Sequence, residues 1–308
     1  MRAAGIRALG GQVERLELPA PPAPTGDEVV VEVRAAGIGN WDDLVRAGAW
    51  DVGTVPPMAL GVEAAGVIIA VGPGEARFAA GDEVLVHSVP LRHQGAWAER
   101  FLAPGGHVAA KPTGLDWAVA GALPVPALTA SQVVARLGCG GGDEALVHGA
   151  GGVTGGLLVA LAAAAGCRVV ATCSPRAADR VRGYGASAVV DYHAADWPSR
   201  TLRAASGRFS VAINAVRGGA PALLPLLADG GHLATITGDP PPSERGILVV
   251  DAYVAPDGPA LEAAVGQLLA RSLTIPIAGV YGLGEAAVAL ETVVQGRADG
   301  ACVLELAR

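Results

Sequence analysis

Glycines between a strand pattern and a helix pattern are the residues of this 308-residue sequence with the clearest potential for chemistry. A short, mostly apolar stretch at 145–148 precedes them, and an alanine- and leucine-rich stretch follows as far as Ala165. Glycines let backbone N–H groups approach a pyrophosphate, and a helix N-terminus adds partial positive charge. This order predicts a dinucleotide site, whereas a tight turn that binds nothing is the alternative. The residues expected to contact the pyrophosphate are Gly151, Gly152, Val153, Thr154 and Gly155.

The residues after the next strand pattern, 169–172, bear on which dinucleotide binds. NAD-dependent enzymes usually place Asp or Glu at this strand end for the ribose 2′-hydroxyl, and no acid stands there in this sequence. Ser174, Arg176 and Arg180 are instead available to a 2′-phosphate, which favours NADPH. The alternative is that both arginines are solvated surface residues.

The composition excludes several other classes of protein. The net charge of −7 provides no basic surface for a nucleic acid. No apolar stretch reaches the roughly 20 residues of a membrane span, and no secretion signal follows Met1. The four cysteines have no metal-ligand spacing and are expected to be reduced thiols. We therefore expect a cytoplasmic α/β protein that acts on a small molecule.

The elements that must position the glycine turn belong to an alternating series of strand and helix patterns. Such alternation predicts a doubly wound parallel sheet with helices on both faces. The strands are expected at 145–148, 168–172, 187–190, 210–214 and 231–236, and the helices at 154–165, 176–184 and 219–228.

The regions before and after this alternating series differ from it in composition and pattern. In the first 110 residues, glycine and proline turns separate short strand candidates at 29–34, 67–71 and 83–87, which predicts a small β-rich barrel. Residues 117–137 are typical of two helices or one helix broken by prolines. After residue 256 we expect a helix at 259–271, a strand at 276–280, a helix at 284–296 and a strand at 301–306.

Several short motifs occur along nearly the whole chain in a recognisable order. They include Gly61-Val-Glu-Ala-Ala-Gly-Val67, Gly81-Asp-Glu-Val84, Gly95-Ala-Trp-Ala-Glu99 and Val147-His-Gly-Ala-Gly-Gly-Val-Thr-Gly155. With these motifs the sequence resembles the medium-chain dehydrogenase/reductase superfamily and, within it, the zinc-independent quinone oxidoreductase and enoyl reductase branch. The resemblance implies a β-rich GroES-like barrel domain at 1–115 and 255–308, a Rossmann NADP(H)-binding domain at 116–254, and an active site in the cleft between them.

The resemblance also bears on metal binding. Zinc alcohol dehydrogenases of this superfamily carry a Cys in the segment that here is 37–41, a His after the glycine that here is Gly61, and a lobe with four cysteines. Here position 62 is Val, and residues 1–138 contain no cysteine. Because a zinc site needs three or four ligands held together, we expect no metal.

The resemblance assigns further residues to the cofactor. Thr129 aligns with a threonine that approaches the nicotinamide, Ser174 with a serine that contacts the phosphate, and Tyr192 with the family's tyrosine. The family's usual basic residue falls at Ala177, so an arginine beside it must substitute. Two more candidates follow Rossmann strands at the ends where ligands bind, Asn214 and Thr237.

The substrate side is expected at Asn40, Trp41 and Asp42, the candidates for catalysis. The family places an Asn where this chain has Gly39, so Asn40 would serve one residue later. Asp42 aligns with a common aspartate that either holds the loop or touches substrate. No proton donor stands out among Tyr253, His93, Gln94 and bulk water.

Together these features predict an NADPH-dependent, zinc-free oxidoreductase that transfers hydride to a quinone or an α,β-unsaturated carbonyl compound. The alternatives are a zinc-free enzyme acting on an alcohol or ketone, and a redox-neutral or non-catalytic relative that keeps cofactor binding. The resemblance implies a homodimer formed by pairing of Rossmann edge strands, with no nucleic-acid or membrane partner.

Overall fold

The computed structural model describes residues 1–306, which fold into two units. Unit 1 combines Met1–Leu128 with the segment that begins at Ala255, and unit 2 is Thr129–Val254. The first division falls within a helix, Pro124–Leu137, whereas the composition changes near residue 115. Because the units divide inside a helix, the amino-acid composition does not change at that point. The predicted domain limits at residues 115 and 116 therefore stay a proposal.

The strands and helices of the described residues are numbered here in chain order. The strands are β1 Arg2–Ile6, β2 Glu14–Glu17, β3 Glu28–Ile38, β4 Met58–Ala59, β5 Glu63–Val71, β6 Glu83–His87, β7 Arg100–Pro104, β8 Val108–Ala110, β9 Glu144–His148, β10 Arg168–Cys173, β11 Ala188–Asp191, β12 Phe209–Asn214, β13 Leu227–Thr235, β14 Leu248–Asp251, β15 Ile277–Tyr281 and β16 Ala301–Glu305. The helices are α1 Asn40–Ala47, α2 Trp117–Gly121, α3 Pro124–Leu137, α4 Val153–Ala164, α5 Ala178–Gly183, α6 Trp197–Ala204, α7 Gly258–Leu269 and α8 Ala286–Val294.

Unit 1 contains two sheets of mostly antiparallel strands. The larger has the order β15-β16-β3-β5-β6-β8, with β7 also paired to β3, and the smaller has the order β2-β1-β4. The long strand β3 pairs with β5, β7 and β16, so it forms the centre of the larger sheet. The strand predicted at 29–34 from its alternating pattern lies within β3 and is confirmed.

Unit 2 is built on one six-stranded parallel sheet with the order β11-β10-β9-β12-β13-β14. Numbered within the unit, this order is 3-2-1-4-5-6, the arrangement of the Rossmann fold. The strand β9, which precedes the glycine turn, lies between β10 and β12 at the point where the strand order reverses. Ligands bind at this point in doubly wound sheets. The predicted α/β fold class is therefore confirmed.

One predicted helix is wrong. Residues 219–228 form a 3₁₀ helix at Ala220–Leu226, and β13 begins directly at Leu227. Pro225 lies inside this segment and lacks the N–H group that an α-helix would use, so the longer helix cannot form. None of the helices formed by residues 1–306 has the length and apolar character needed to cross a membrane.

Candidate functional site

The glycine turn of unit 2 has the backbone geometry of an anion-binding loop. Gly149 has a φ of +88°, which other residues rarely adopt. A Cβ at Gly155 would lie 2.2 Å from the carbonyl oxygen of Gly149, so the first turn of α4 can pack here only without a side chain. Gly152 is the N-cap of α4 and provides no side-chain cap. The first N–H groups of this twelve-residue helix lack intrahelical acceptors and remain available to a phosphate.

The residues predicted to bind a 2′-phosphate differ in their relation to this loop. Arg180, in α5, donates a hydrogen bond of 3.0 Å to the carbonyl oxygen of Gly151. Arg176 is exposed on the 3₁₀ turn Pro175–Ala177, and Ser174 is half-buried as the N-cap of that turn. Tyr192 is 40% exposed after β11. Arg180 thus contacts the glycine loop, whereas Arg176, which is close to it in the sequence, lies exposed on the surface.

Sequence reasoning did not find the residues that support the first glycine. The hydroxyl of Thr172 lies 2.7 Å from Nδ1 of His148 and accepts a hydrogen bond of 3.2 Å from the Gly149 N–H group. The His148 ring stacks on Trp197, with centroids 4.9 Å apart and planes 13° apart. Burial lowers the pKa of His148. His148 therefore supports the loop.

Asn214, predicted to bind the cofactor, has its side chain engaged within unit 2. Its amide nitrogen donates to the carbonyl oxygen of Val216 at 2.9 Å and to the hydroxyls of Thr235 and Thr237, each at 3.1 Å. Its amide oxygen accepts from the Val216 N–H group at 3.2 Å, and the residue is fully buried. Asn214 thus joins the carboxyl ends of β12 and β13.

A carboxylate that sequence reasoning missed completes this network. Asp239 accepts hydrogen bonds from the hydroxyls of Thr235, at 2.7 Å, and Thr237, and from the Gly218 N–H group. Burial raises the pKa of Asp239, but these three hydrogen bonds outweigh burial and hold the pKa below its usual value. Asp239 is therefore an ionised group at neutral pH.

Thr129, the residue aligned with the nicotinamide threonine, is 7% exposed near the middle of α3. It lines a cavity of about 220 Å³ together with Gln132, Arg136 and Tyr253. All four residues belong to unit 2. A wall of α3 and the segment after β14 thus encloses a small space beside Thr129.

In unit 1, the predicted catalytic residues form the start of α1. Asn40 is exposed and Trp41 is half-buried. The Trp41 ring occupies the space where a Cβ of Gly39 would lie, within 2.2 Å, which explains why a glycine stands where the family has Asn. The indole nitrogen of Trp41 is buried and has no hydrogen-bond partner among residues 1–306.

Asp42 and Glu63 form a pair of buried carboxyl groups in unit 1. Asp42 is fully buried and accepts a hydrogen bond of 2.8 Å from the Gly39 N–H group. Burial raises the pKa of Asp42 to about 8, against the opposing effect of the Gly39 and Gly61 backbone. Of the two roles open for Asp42, its burial supports holding the loop.

Glu63 is 1% exposed and accepts a hydrogen bond of 2.6 Å from the N–H group of Val125, in the first turn of α3. Burial raises its pKa well above the usual value, and the charge of Asp42 adds to the effect. His87 lies opposite Glu63 in the β5–β6 pair, and burial lowers its pKa to about 4. Burial therefore favours the uncharged form of each of these groups.

Residues 1–306 bring together no group of three or more His, Cys, Asp and Glu side chains placed to hold a metal ion. Val62 is buried at 1% exposure at the position where zinc relatives carry a histidine.

Two family profiles match this chain: an alcohol dehydrogenase GroES-like domain over residues 25–113 and a zinc-binding dehydrogenase over residues 184–304. These matches agree with the β-rich sheets of unit 1 and the Rossmann strand order of unit 2 and define the class as a dehydrogenase-type fold with two units. The chain belongs to the medium-chain dehydrogenase/reductase superfamily.

Individual relatives agree with this family. The chain is 33% identical over 185 residues to the human synaptic vesicle membrane protein VAT-1 homolog, covering 58% of this chain and 45% of that protein. It is 30% identical over 184 residues to human quinone oxidoreductase, covering 59% of this chain and 55% of that protein. The matched regions thus span about half the length of these relatives.

Solved structures resemble the whole chain. An NAD-dependent alcohol dehydrogenase superimposes with a TM-score of 0.85 at 27% identity, covering 100% of both chains. The quinone oxidoreductase from Coxiella burnetii has a TM-score of 0.86 at 23% identity, covering 100% of this chain and 99% of that one. At 23% identity, the second likeness supports the fold alone.

Proposed function

We propose that this protein is an NADPH-dependent, zinc-free oxidoreductase that transfers hydride to a quinone or an α,β-unsaturated carbonyl substrate. The observation that carries the proposal is the open N-terminus of α4 at the glycine turn, with Arg180 bonded to that turn. This arrangement suits a pyrophosphate and a nearby additional phosphate.

The residues of unit 2 fit a dinucleotide. The N–H groups of Val153 and Thr154 would bind the pyrophosphate, because α4 has no side-chain cap. Gly152, whose N–H group donates to the carbonyl oxygen of Gly149 at 3.2 Å, would shape the turn at the pyrophosphate. Gly151 and Gly155 have no Cβ, so the backbone of the turn could approach the pyrophosphate closely. The residues proposed for the 2′-phosphate are Ser174, Arg176, Arg180 and Tyr192.

The nicotinamide half would lie beyond β9, toward β12 and β13, because a dinucleotide crosses the switch point of the sheet. Thr129 would border the nicotinamide ring, and Asn214 and Thr237 would shape the strand ends beneath it. When bound, the nicotinamide supplies the hydride, and the protein orients it and stabilises developing charge.

The substrate residues are proposed in unit 1. The indole N–H of Trp41 is buried without a partner, so a carbonyl or quinone oxygen would satisfy it. Such a donor would stabilise the negative charge that develops on that oxygen during hydride transfer. Asn40 is the second polar candidate, and Asp42 would hold the turn that presents both.

The zinc-free part of the proposal rests on the side chains present. A buried Val62 replaces the family's zinc-ligating histidine, and Gly37, Ile38 and Gly39 offer no thiolate. Without a Lewis acid, a conjugated substrate is favoured because conjugation already delocalises the negative charge.

A second candidate function is reduction of ketones or oxidation of alcohols, which the similarity to an NAD-dependent alcohol dehydrogenase favours. A panel of quinones, enones and simple ketones, each mixed with the protein and NADPH or NADH, separates the candidates through absorbance of the reduced nicotinamide. Oxidation of NADPH by quinones or enones supports the first function. Turnover of simple ketones alone would support the second, and cofactor binding without turnover would support a non-catalytic relative.

We also propose a homodimer. The sheet of unit 2 ends at β14 within the described residues, and Leu248 on this strand is 54% exposed. An edge strand with an exposed apolar side chain can pair with a second copy. Light scattering coupled to size-exclusion chromatography should give the mass of two chains.

A further inference from the structure

We propose that Asp239 is a positioning residue that fixes the carboxyl ends of β12 and β13 for the nicotinamide half of the cofactor. The inference rests on the proposed function, since it assumes that unit 2 binds a nicotinamide dinucleotide. Asp239 matches no motif used to predict the site, and it lies outside the glycine turn and the proposed 2′-phosphate residues.

The carboxylate constrains the direction of the hydrogen bonds in its network. An ionised carboxylate only accepts, so when both hydrogen bonds to Asp239 form, the hydroxyls of Thr235 and Thr237, 2.9 Å apart, direct their protons at Asp239 and not at each other. Their lone pairs then face the amide nitrogen of Asn214, which donates to each at 3.1 Å. This leaves one orientation for the Asn214 amide, with its oxygen toward the Val216 N–H group.

A second contact extends the network to the loop after β12. Asp239 also accepts from the N–H group of Gly218, a residue with a φ of +73°. The same carboxylate therefore ties the loop after β12 to the residues that follow β13.

This loop lies directly against the glycine turn. A Cβ at Gly149 would be 2.6 Å from Cγ2 of Val216 and 3.2 Å from the backbone of Ala215. The Ala215 N–H group donates to the carbonyl oxygen of His148 at 2.9 Å. A shift of the loop would thus be transmitted to Gly149. The residues proposed for the 2′-phosphate follow β10 and β11 along the chain, and these strands lie on the other side of β9 from β12.

The geometry predicts an effect confined to one half of the cofactor. In Asp239→Asn, the new amide nitrogen donates, so it opposes at least one of the three donors that face it. The strand ends near the nicotinamide should then lose their fixed arrangement. The adenosine half, on the β10 side of the sheet, should be unaffected.

The experiment compares two ligands by calorimetric titration: NADP⁺, the complete cofactor, and 2′,5′-ADP, which lacks the nicotinamide half. The variants are Asp239→Asn, Asp239→Ala and the control Asp229→Asn. Asp229 belongs to β13 and has a side chain 79% exposed, and its partner is Arg245. Thermal unfolding is recorded for each protein.

We expect Asp239→Asn to weaken NADP⁺ binding about tenfold, which corresponds to about 1.4 kcal/mol. Binding of 2′,5′-ADP should stay within twofold of the wild type, and Asp229→Asn should bind both ligands normally. Asp239→Ala should show the same division between the ligands.

Three results would overturn the inference. NADP⁺ binding by Asp239→Asn at wild-type affinity would show that the carboxylate positions nothing. Equal losses for both ligands would indicate a general structural role. A wild type that binds neither NADP⁺ nor NAD⁺ would remove the proposed function together with this role, which separates that failure from the first two. If the wild type prefers NAD⁺, only the predicted NADPH preference is wrong. NAD⁺ then replaces NADP⁺ as the complete cofactor, and ADP replaces 2′,5′-ADP as the ligand without the nicotinamide half.

Discussion

The two units place the same chemical group in opposite environments. In unit 1, Asp42 is fully buried, and burial raises its pKa to about 8. In unit 2, Asp239 accepts hydrogen bonds from two hydroxyls and one N–H group, and its pKa is lowered although burial alone would raise it. The balance between burial and the donors that face a carboxyl group therefore decides its protonation: burial outweighs the hydrogen bonds to the fully buried Asp42, whereas the donors outweigh the partial burial of Asp239.

This difference suits the two parts proposed for the reaction. Unit 2 offers an open helix N-terminus, which suits the phosphates of an anionic cofactor, and its Asp239 carboxylate lies outside the glycine turn. In unit 1, burial raises the pKa values of Asp42 and Glu63 and lowers the pKa of His87, so its interior favours an uncharged molecule such as the proposed quinone.

The largest expected effect concerns the proton that Asp42 binds in unit 1. Because the pKa of Asp42 is raised from 3.8 to about 8, the folded state binds a proton that the unfolded state loses between these pH values. The contribution of Asp42 to the free energy of unfolding is therefore full below about pH 4 and is lost as pH rises toward 8. Asp42→Asn should remove this contribution, which amounts to roughly 4 kcal/mol at most between pH 5 and 8 at about 1.4 kcal/mol per pKa unit. The decline that Glu63 contributes with the same sign should remain in the variant.

Urea unfolding at several pH values measures this slope. Asp179→Asn serves as the control, because the Asp179 side chain is fully exposed. A wild type equally stable at pH 5 and pH 8 would show that Asp42 is ionised in the fold, and the contrast with Asp239 would disappear.

The second prediction concerns the anion-binding turn of unit 2. Gly155→Ala places a Cβ 2.2 Å from the carbonyl oxygen of Gly149, so the turn must move. We expect NADPH binding to weaken by about thirtyfold, since overpacking of this kind costs roughly 2 kcal/mol. Gly183→Ala, where an added Cβ meets nothing within 4 Å, should bind NADPH normally. Fluorescence titration of both variants gives the comparison, and equal affinities would argue against phosphate binding at this turn.

The third prediction separates the 2′-phosphate from the rest of the cofactor. Arg180→Ala should weaken NADPH binding about tenfold and leave NADH binding within twofold, because a charge-assisted hydrogen bond is worth about 1.5 kcal/mol. Arg182→Ala, two residues along α5 and paired with Asp179, is the control. Equal losses for NADPH and NADH would mean that Arg180 only supports the Gly151 carbonyl group.

The smallest expected effect lies on the substrate side of unit 1. Trp41→Phe keeps a ring in the space beside Gly39 but removes the indole N–H group. We expect kcat with a quinone to fall about fivefold, as for a lost hydrogen bond of about 1 kcal/mol, while the KM for NADPH stays unchanged. Trp117→Phe is the control, because Trp117 contacts Lys111 away from α1. An unchanged kcat would exclude this donor.

The sequence predicted local features better than distant contacts. Strands such as β3 and the alternating elements of unit 2 follow from patterns within a few residues, and so does the glycine turn. The 3₁₀ helix at Ala220–Leu226 differs from the α-helix that its apolar residues predict, because Pro225 lacks the N–H group that an α-helix needs there.

The site was predictable only where one motif contains it. Asp239 was missed because its partners are spread over residues 214–239 and meet only when β12 and β13 pair. The sequence also does not show why residue 39 must be a glycine, since this depends on the direction of the Trp41 ring. Neither contact leaves a signal in spacing or composition.

Steady-state reduction of a quinone by protein dialysed against a chelator, with NADPH and NADH compared as hydride donors, tests the proposed NADPH-dependent, zinc-free activity most directly. We expect kcat/KM to be at least about tenfold higher for NADPH, in line with one charge-assisted phosphate contact, and no loss of activity after dialysis. A preference for NADH, or activity that is lost on dialysis and restored by zinc, would contradict it.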